Sequence, residues 1–116
     1  MKNWALLRER YLRDSLPVRL GGVAANLRRI RSFADQEANE AAVVSLIDES
    51  KHFIEWTAAE AEPATAAELV ELQVQLARWQ WVWTRVWGDM GQRTQMAEQA
   101  QRWSERVSDL SGLIPA

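Results

Sequence analysis

The chain runs to 116 residues without a single cysteine. That absence excludes disulfides, thiolate metal sites and cysteine nucleophiles together, and it leaves an intracellular setting unopposed. Histidine is nearly as scarce, with His52 alone in the sequence. Long apolar runs are missing as well: stretches such as AAVV and WVW fall far short of the ~20 residues that span a bilayer. Gly21-Gly22 on its own is not a glycine-rich phosphate loop. The opening MKNWALLRERYLRD carries charges where an export signal needs an apolar stretch. These gaps lead us to expect a soluble, cytoplasmic protein with no membrane partner.

What is present has the balance of an ordinary globular protein, 47% hydrophobic and 26% charged, and the length fits one domain. The net charge of −2 hides an uneven distribution. Residues 1–34 hold eight lysines and arginines against two acids, and residues 35–77 hold ten acids against Lys51 alone. Such blocks mark either a basic nucleic-acid arm or oppositely charged helices packed side by side. A sequence pI near 5.4 argues against nucleic acid, because domains that bind it are usually basic. We therefore expect Arg28, Arg29 and Arg31, with Arg8, Arg10, Arg13 and Arg19, to face Glu37, Glu40, Asp48, Glu49 and Glu55 on an antiparallel neighbour.

Periodicity and punctuation predict four long helices. Ser15 and Pro17 read as an N-cap and a first-turn proline. They open a helix with the stripe Leu16, Leu20, Val23, Leu27, Ile30 and Ala34. Gly21 and Gly22 either delay its start or admit a close neighbour. A second helix carries Val43, Ile47, Ser50, Ile54 and Thr57, flanked by Leu46, Phe53 and Trp56, and stops before Pro63. Thr65-Ala-Ala-Glu68 has capping-box spacing. It opens a third helix with an unbroken stripe of Leu69, Leu72, Leu76, Trp79, Trp83, Val86 and Met90. Gly88 and Gly91 bracket the next turn, and a fourth helix runs through Met96, Ala100, Trp103, Val107 and Leu110 to a stop at Gly112. Ahead of these, Trp4, Leu7, Tyr11 and Leu12 make a short amphipathic helix. Short connections imply antiparallel neighbours. The expected fold is all-α, an up-down four-helix bundle with a short N-terminal helical arm (residues 1–14) in a single domain, residues 1–116.

Four of the seven tryptophans fall within RWQWVWTRVWG, residues 78–88. A period of two suits a strand, but the helical stripe from Leu69 passes through them with no turn signal. On a helix, Trp79, Trp83 and Trp87 share a side and Trp81 lies nearly opposite Trp79. Folding the helices back sets residues 79–87 level with Ala24, Ala25, Ala41, Ala42, Ala97 and Ala100, small residues against which large rings pack densely. Trp79 and Trp83 are therefore expected in the core, their indole N–H groups taken up by Gln80, Gln95 or Gln99. Trp81 belongs to a second apolar stripe with Val70, Val74 and Ala77, which widens the apolar arc far beyond the usual ~100°. Either the arm, through Trp4 and Leu7, or a second subunit covers it; left exposed, it marks a binding surface.

One spacing looks metal-like, Glu49-Ser-Lys-His52. Di-iron bundles need two such E-x-x-H copies and two further glutamates. With one histidine, we expect no metal site and a solvated His52 beside surface carboxylates. A histidine-based triad lacks a cleft. Interior thioether ligands come down to Met90 and Met96, so no cofactor is expected.

The runs SLIDESKHFIEWTAAE, ELVELQVQLARWQ and QRWSERV resemble small all-helical proteins of cyanobacteria, over most of residues 15–112. The resemblance implies a cytoplasmic protein and supplies no catalytic residue. From the residues themselves we expect a non-enzymatic interaction module that forms a homodimer or binds a protein partner, its contact residues being Val70, Val74, Trp81 and Trp4. A tryptophan-lined pocket for a small ligand or pigment is the alternative, and a metal-dependent enzyme at a subunit junction around His52 and Glu49 a third.

Overall fold

In the computed structural model the chain is described over residues 3–112, and residues 1–2 and 113–116, which the expected domain includes, lie outside the described residues. The described chain is all-α. Its helices are α1 (Trp4–Arg13), α2 (Leu16–Phe33), α3 (Glu40–Ala58), α4 (Pro63–Trp81), α5 (Trp83–Gly88) and α6 (Met90–Ser111), with one 3-10 turn (Glu37–Asn39) before α3. None of these helices is long and apolar enough to cross a membrane.

The predicted stripes make the core. Leu20, Val23, Leu27 and Ile30 of α2 are buried between α3 and α6. All five stripe residues of α3 (Val43, Ile47, Ser50, Ile54 and Thr57) are buried as their spacing predicts. Leu69, Leu72 and Leu76 of α4 and Met96, Ala100 and Val107 of α6 complete the interior. Each such aliphatic side chain contributes about 1.5–3 kcal/mol on burial, far more than any surface contact. Pairs between helices fall in reversed order: Arg19 meets Glu60, just past the end of α3, and Asn26 meets Glu49 of α3, and Glu68 meets Arg106 while Trp79 meets Gln99 between α4 and α6.

Several local expectations need correction. α4 begins at Pro63, with Glu62 at its N-cap, because the fixed φ of proline suits a first turn. Thr65 and Glu68 are therefore inside the helix, and Glu68 pairs with Arg106 instead of closing a capping box. The third long helix is interrupted at Val82 (φ −112°, ψ 29°), whose carbonyl accepts from both Arg85 and Val86. The break spares a single stripe from housing three indoles. Trp79 stays in the core and donates to Gln99 at 3.3 Å, whereas Trp83 donates to Glu40 at 2.9 Å and Trp87 to the Glu37 carbonyl at 3.2 Å. Trp87 is buried, but Trp83, expected in the core, is only half-buried. Met90, expected in the core, is 72% exposed, because the chain turns at Asp89, which caps α6 by accepting from Gln92 N–H at 2.8 Å. Ala24, Ala97 and Ala100 are buried, but Ala41 and Ala42 face solvent, since the Val43–Ile47 stripe sets the phase of α3.

The charge blocks also meet less than expected. Arg19 reaches Glu60 at 2.7 Å, yet Arg8, Arg10, Arg28, Arg29 and Arg31 have no carboxylate within ion-pair distance among the described residues. The α3 face that meets α2 is its apolar stripe, which leaves Asp48 and Glu55 on other sides of the helix.

α2 starts at Leu16 as predicted, runs through both glycines, and places Gly22 beneath the Tyr11 ring. A Cβ built there would meet Tyr11 Cε1 at 3.8 Å, an ordinary contact. Gly22→Ala is therefore expected to stabilise the fold by about 1 kcal/mol, raising Tm by roughly 4 °C in a circular dichroism melt; a lower Tm would contradict the placement of α1 over Gly22.

Candidate interaction face

The geometry of α1 decides what remains uncovered. Its Tyr11 ring stacks on Phe53 with centroids 4.1 Å apart. The Tyr11 hydroxyl donates to the Arg19 carbonyl at 3.0 Å and lies 2.8 Å from Thr57 Oγ1. Its single proton is spent on the carbonyl, so Thr57 donates to it. Burial raises the Tyr11 pKa to about 12, partly opposed by the Thr57 hydrogen bond and the charge of Arg19. Beneath this corner the Arg19 guanidinium ties the α1–α2 link, donating to the carbonyls of Asp14 and Leu12. Farther along α1, Trp4 stacks on His52 at 3.7 Å, with the rings 12° apart, and meets Trp56 edge-on.

α1 is thereby committed to the side of α3 that carries His52, Phe53 and Trp56. α4 sits on another side, where Lys51 donates to Gln80 at 2.7 Å and accepts from Gln73 at 3.0 Å through its carbonyl. His52 follows Lys51 by about 100° around the helix, so Trp4 is not continuous with the α4 stripe. The arm does not cover that stripe. Val70 is 56% exposed, Val74 45% and Trp81 89%; Ala77 is exposed beside them.

On a helical projection the buried Leu69, Leu72, Leu76 and Trp79 point one way and Ala66, Val70, Val74, Ala77 and Trp81 nearly the opposite way. α4 is apolar on both its inner and its outer face. Its charged residues, Glu68, Glu71 and Arg78, lie on the flank toward α6, where Arg106 holds Glu68 and approaches Glu71 at 3.6 Å. The Glu68 carboxylate raises the pKa of Arg106 still further. Across the Gln80 flank lies a dimple of about 260 Å³ lined by Val44, Ile47, Gln80 and Trp83. Val44 extends the apolar ground, and the only sequence signal for it was a valine one position out of phase with the Val43–Ile47 stripe.

The other candidates disperse. Glu49 accepts from Asn26 at 3.2 Å, while His52 is sandwiched with Trp4 and its Nδ1 lies 2.9 Å from the Asp48 carbonyl. His52 stays partly exposed beside the surface carboxylate of Asp48, as expected, and in addition packs one ring face on Trp4. Among the described residues no three or more histidine and carboxylate side chains gather as a metal-ion cluster. The space beside Trp79 is about 140 Å³, below the ~300–1,000 Å³ typical of ligand sites, whereas a surface hollow lined by Trp81 and Trp83 is about 550 Å³. A cleft of about 360 Å³ between α4 and α6, lined by Gln75, Gln99, Arg102, Trp103 and Arg106, escaped the sequence reading; its signal was Arg102 and Arg106 astride Trp103, with Arg106 lying over the indole at 4.7 Å.

No family model, no curated protein and no solved structure matches the chain. Its own geometry must carry the reading.

Tyr11 is the only tyrosine, so tyrosinate absorbance reports it alone. The titration is expected near pH 12, and a midpoint near 10 would contradict a buried Tyr11. Because the folded-state pKa is raised, the stability linked to Tyr11 is complete below about pH 10 and lost as pH rises toward 12. Tyr11→Phe should remove that part of the alkaline sensitivity.

Proposed function

We propose that this protein is a non-enzymatic, cytoplasmic interaction module, built as an up-down four-helix bundle of α2, α3, α4 with α5, and α6. It self-associates or docks a protein partner through the outer face of α4. The reversed order of contacts between consecutive helices supports the bundle reading. The carrying observation is Trp81, 89% exposed at the end of a stripe with Val70 and Val74. An indole largely in water at the end of an uncharged strip is costly to keep unless something covers it, and aromatic residues of this kind anchor interfaces. Trp4, stacked in the α1–α3 seam, serves the monomer in this reading and is not a contact residue. The resemblance to cyanobacterial helical proteins is compatible with this role and adds no chemistry to it.

The test compares the native mass of wild type and Trp81→Asp by light scattering, both purified and in extract of the cells from which the protein comes. Wild type is expected in a larger species that Trp81→Asp loses while its melting curve is retained. Equal masses for the two chains in both settings would overturn the proposal.

A further inference from the structure

We infer that the partner of the α4 face is a second copy of the same chain, seated antiparallel across a two-fold axis between residues 75 and 76. The inference rests on the reading of α4 as a docking face and adds its occupant and register. The spacing of the stripe, at positions 70, 74, 77 and 81, is the same read from either end. About that axis, Val70 of one copy is level with Trp81 of the other, and Val74 with Ala77. The N-terminal part of the stripe is small, with Ala66 and Val70, and its C-terminal part is one large indole. Antiparallel seating lays each Trp81 against the small Ala66 and Val70 side chains of the other copy. Parallel seating would stack indole on indole and set the small side chains against each other.

The flanks follow the same symmetry. A two-fold axis perpendicular to antiparallel helices brings like flank to like flank, so the α6 flank of one α4 meets the α6 flank of the other. Arg78 and Glu71 share that flank, and each then falls within about 3 Å of axial level with the opposite charge on the other copy. Arg78 is exposed and has no ion pair among the described residues. The Glu71 side chain is 62% exposed and only 3.6 Å from Arg106, so it remains open to a second guanidinium. In the parallel arrangement the same two residues would face Gln80 and Gln73, uncharged and held by Lys51. In the antiparallel choice the Glu71 carboxylate is shared between Arg106 of its own chain and Arg78 of the other copy, so it separates the two guanidinium groups it pairs with.

The area sets the strength. One indole offers roughly 200 Å², and the stripe as a whole about 400 Å² per copy, so the pair would bury on the order of 800–1,000 Å², below the 1,200–2,000 Å² of stable complexes. A weak, concentration-dependent dimer is expected, not an obligate one.

Sedimentation velocity over a concentration series tests this with charge reversal. Arg78→Glu and Glu71→Arg should each weaken dimerisation roughly tenfold. The chain carrying both substitutions, and an equimolar mixture of the two single variants, should recover it. Melting curves establish that each variant folds. As an independent measurement, Val70→Cys introduces the only thiol in the chain. The antiparallel axis holds the two copies of position 70 about 16 Å apart, beyond disulfide reach, so oxidation should yield no cross-linked dimer. A dimer that neither double reversal nor mixing restores, or one that Val70→Cys cross-links readily, overturns the antiparallel seating while leaving the α4 docking face intact. A wild type that stays monomeric at every concentration overturns the second copy as partner, and the docking reading is then decided by the extract arm of the Trp81→Asp comparison.

Discussion

The surface of this protein follows from where one tyrosine anchors. Tyr11 joins three elements at once: its ring lies between Gly22 of α2 and Phe53 of α3, and its hydroxyl is shared by the Arg19 carbonyl and the Thr57 side chain. A buried hydroxyl with both partners satisfied is expensive to displace, since each orphaned group costs about 1–3 kcal/mol. That anchor fixes α1 along α3, and Trp4 and His52 close the seam farther out. A short helix can cover one groove. Having covered this one, it leaves the outer face of α4 without an internal partner among the described residues.

The tryptophan cluster then divides along the break at Val82. Trp79 ends its ring in the core against Gln99, and Trp83 and Trp87, stacked at 5.4 Å, turn toward Glu40 and Glu37 on the approach to α3. Trp81, the last residue of α4, is the one ring of the four that is largely in water. Three indoles thus close the end of the fold, and the fourth is available to something else. The packing that makes the monomer and the surface that would make an assembly are separated by two residues of chain.

Much of this was readable from residue spacing. The α3 stripe is a five-position pattern with one solution, and Gly112 sits in the left-handed conformation its place after Leu110 implies, at φ 69°. The exposed stripe of Val70, Val74 and Trp81 was also visible, because a helix apolar on opposite faces cannot bury both in a small bundle. What covers it was not visible: the destination of α1 depends on a Tyr11 hydroxyl reaching residue 57, a contact no local period encodes. Nor did spacing reveal the break at Val82, since the stripe from Leu69 continues in phase through Trp83 and Val86. The competition among three bulky rings is a volume effect. The arginine block misled for a related reason: net charge per segment does not say which side of a helix the acids occupy, and α3 presents its apolar side to α2.

The central claim is that one chain leaves the α4 outer face bare and that association covers it. Nitrogen–proton correlation spectra of the tryptophan indoles, recorded as the protein is concentrated, address it most directly. The Trp81 signal should move with concentration, together with the Val70 and Val74 methyls, while Trp4, Trp79 and Trp87 stay in place. A stationary Trp81 alongside a shifting Trp4 would put the contact at the α1–α3 seam and contradict the α4 face as the interface.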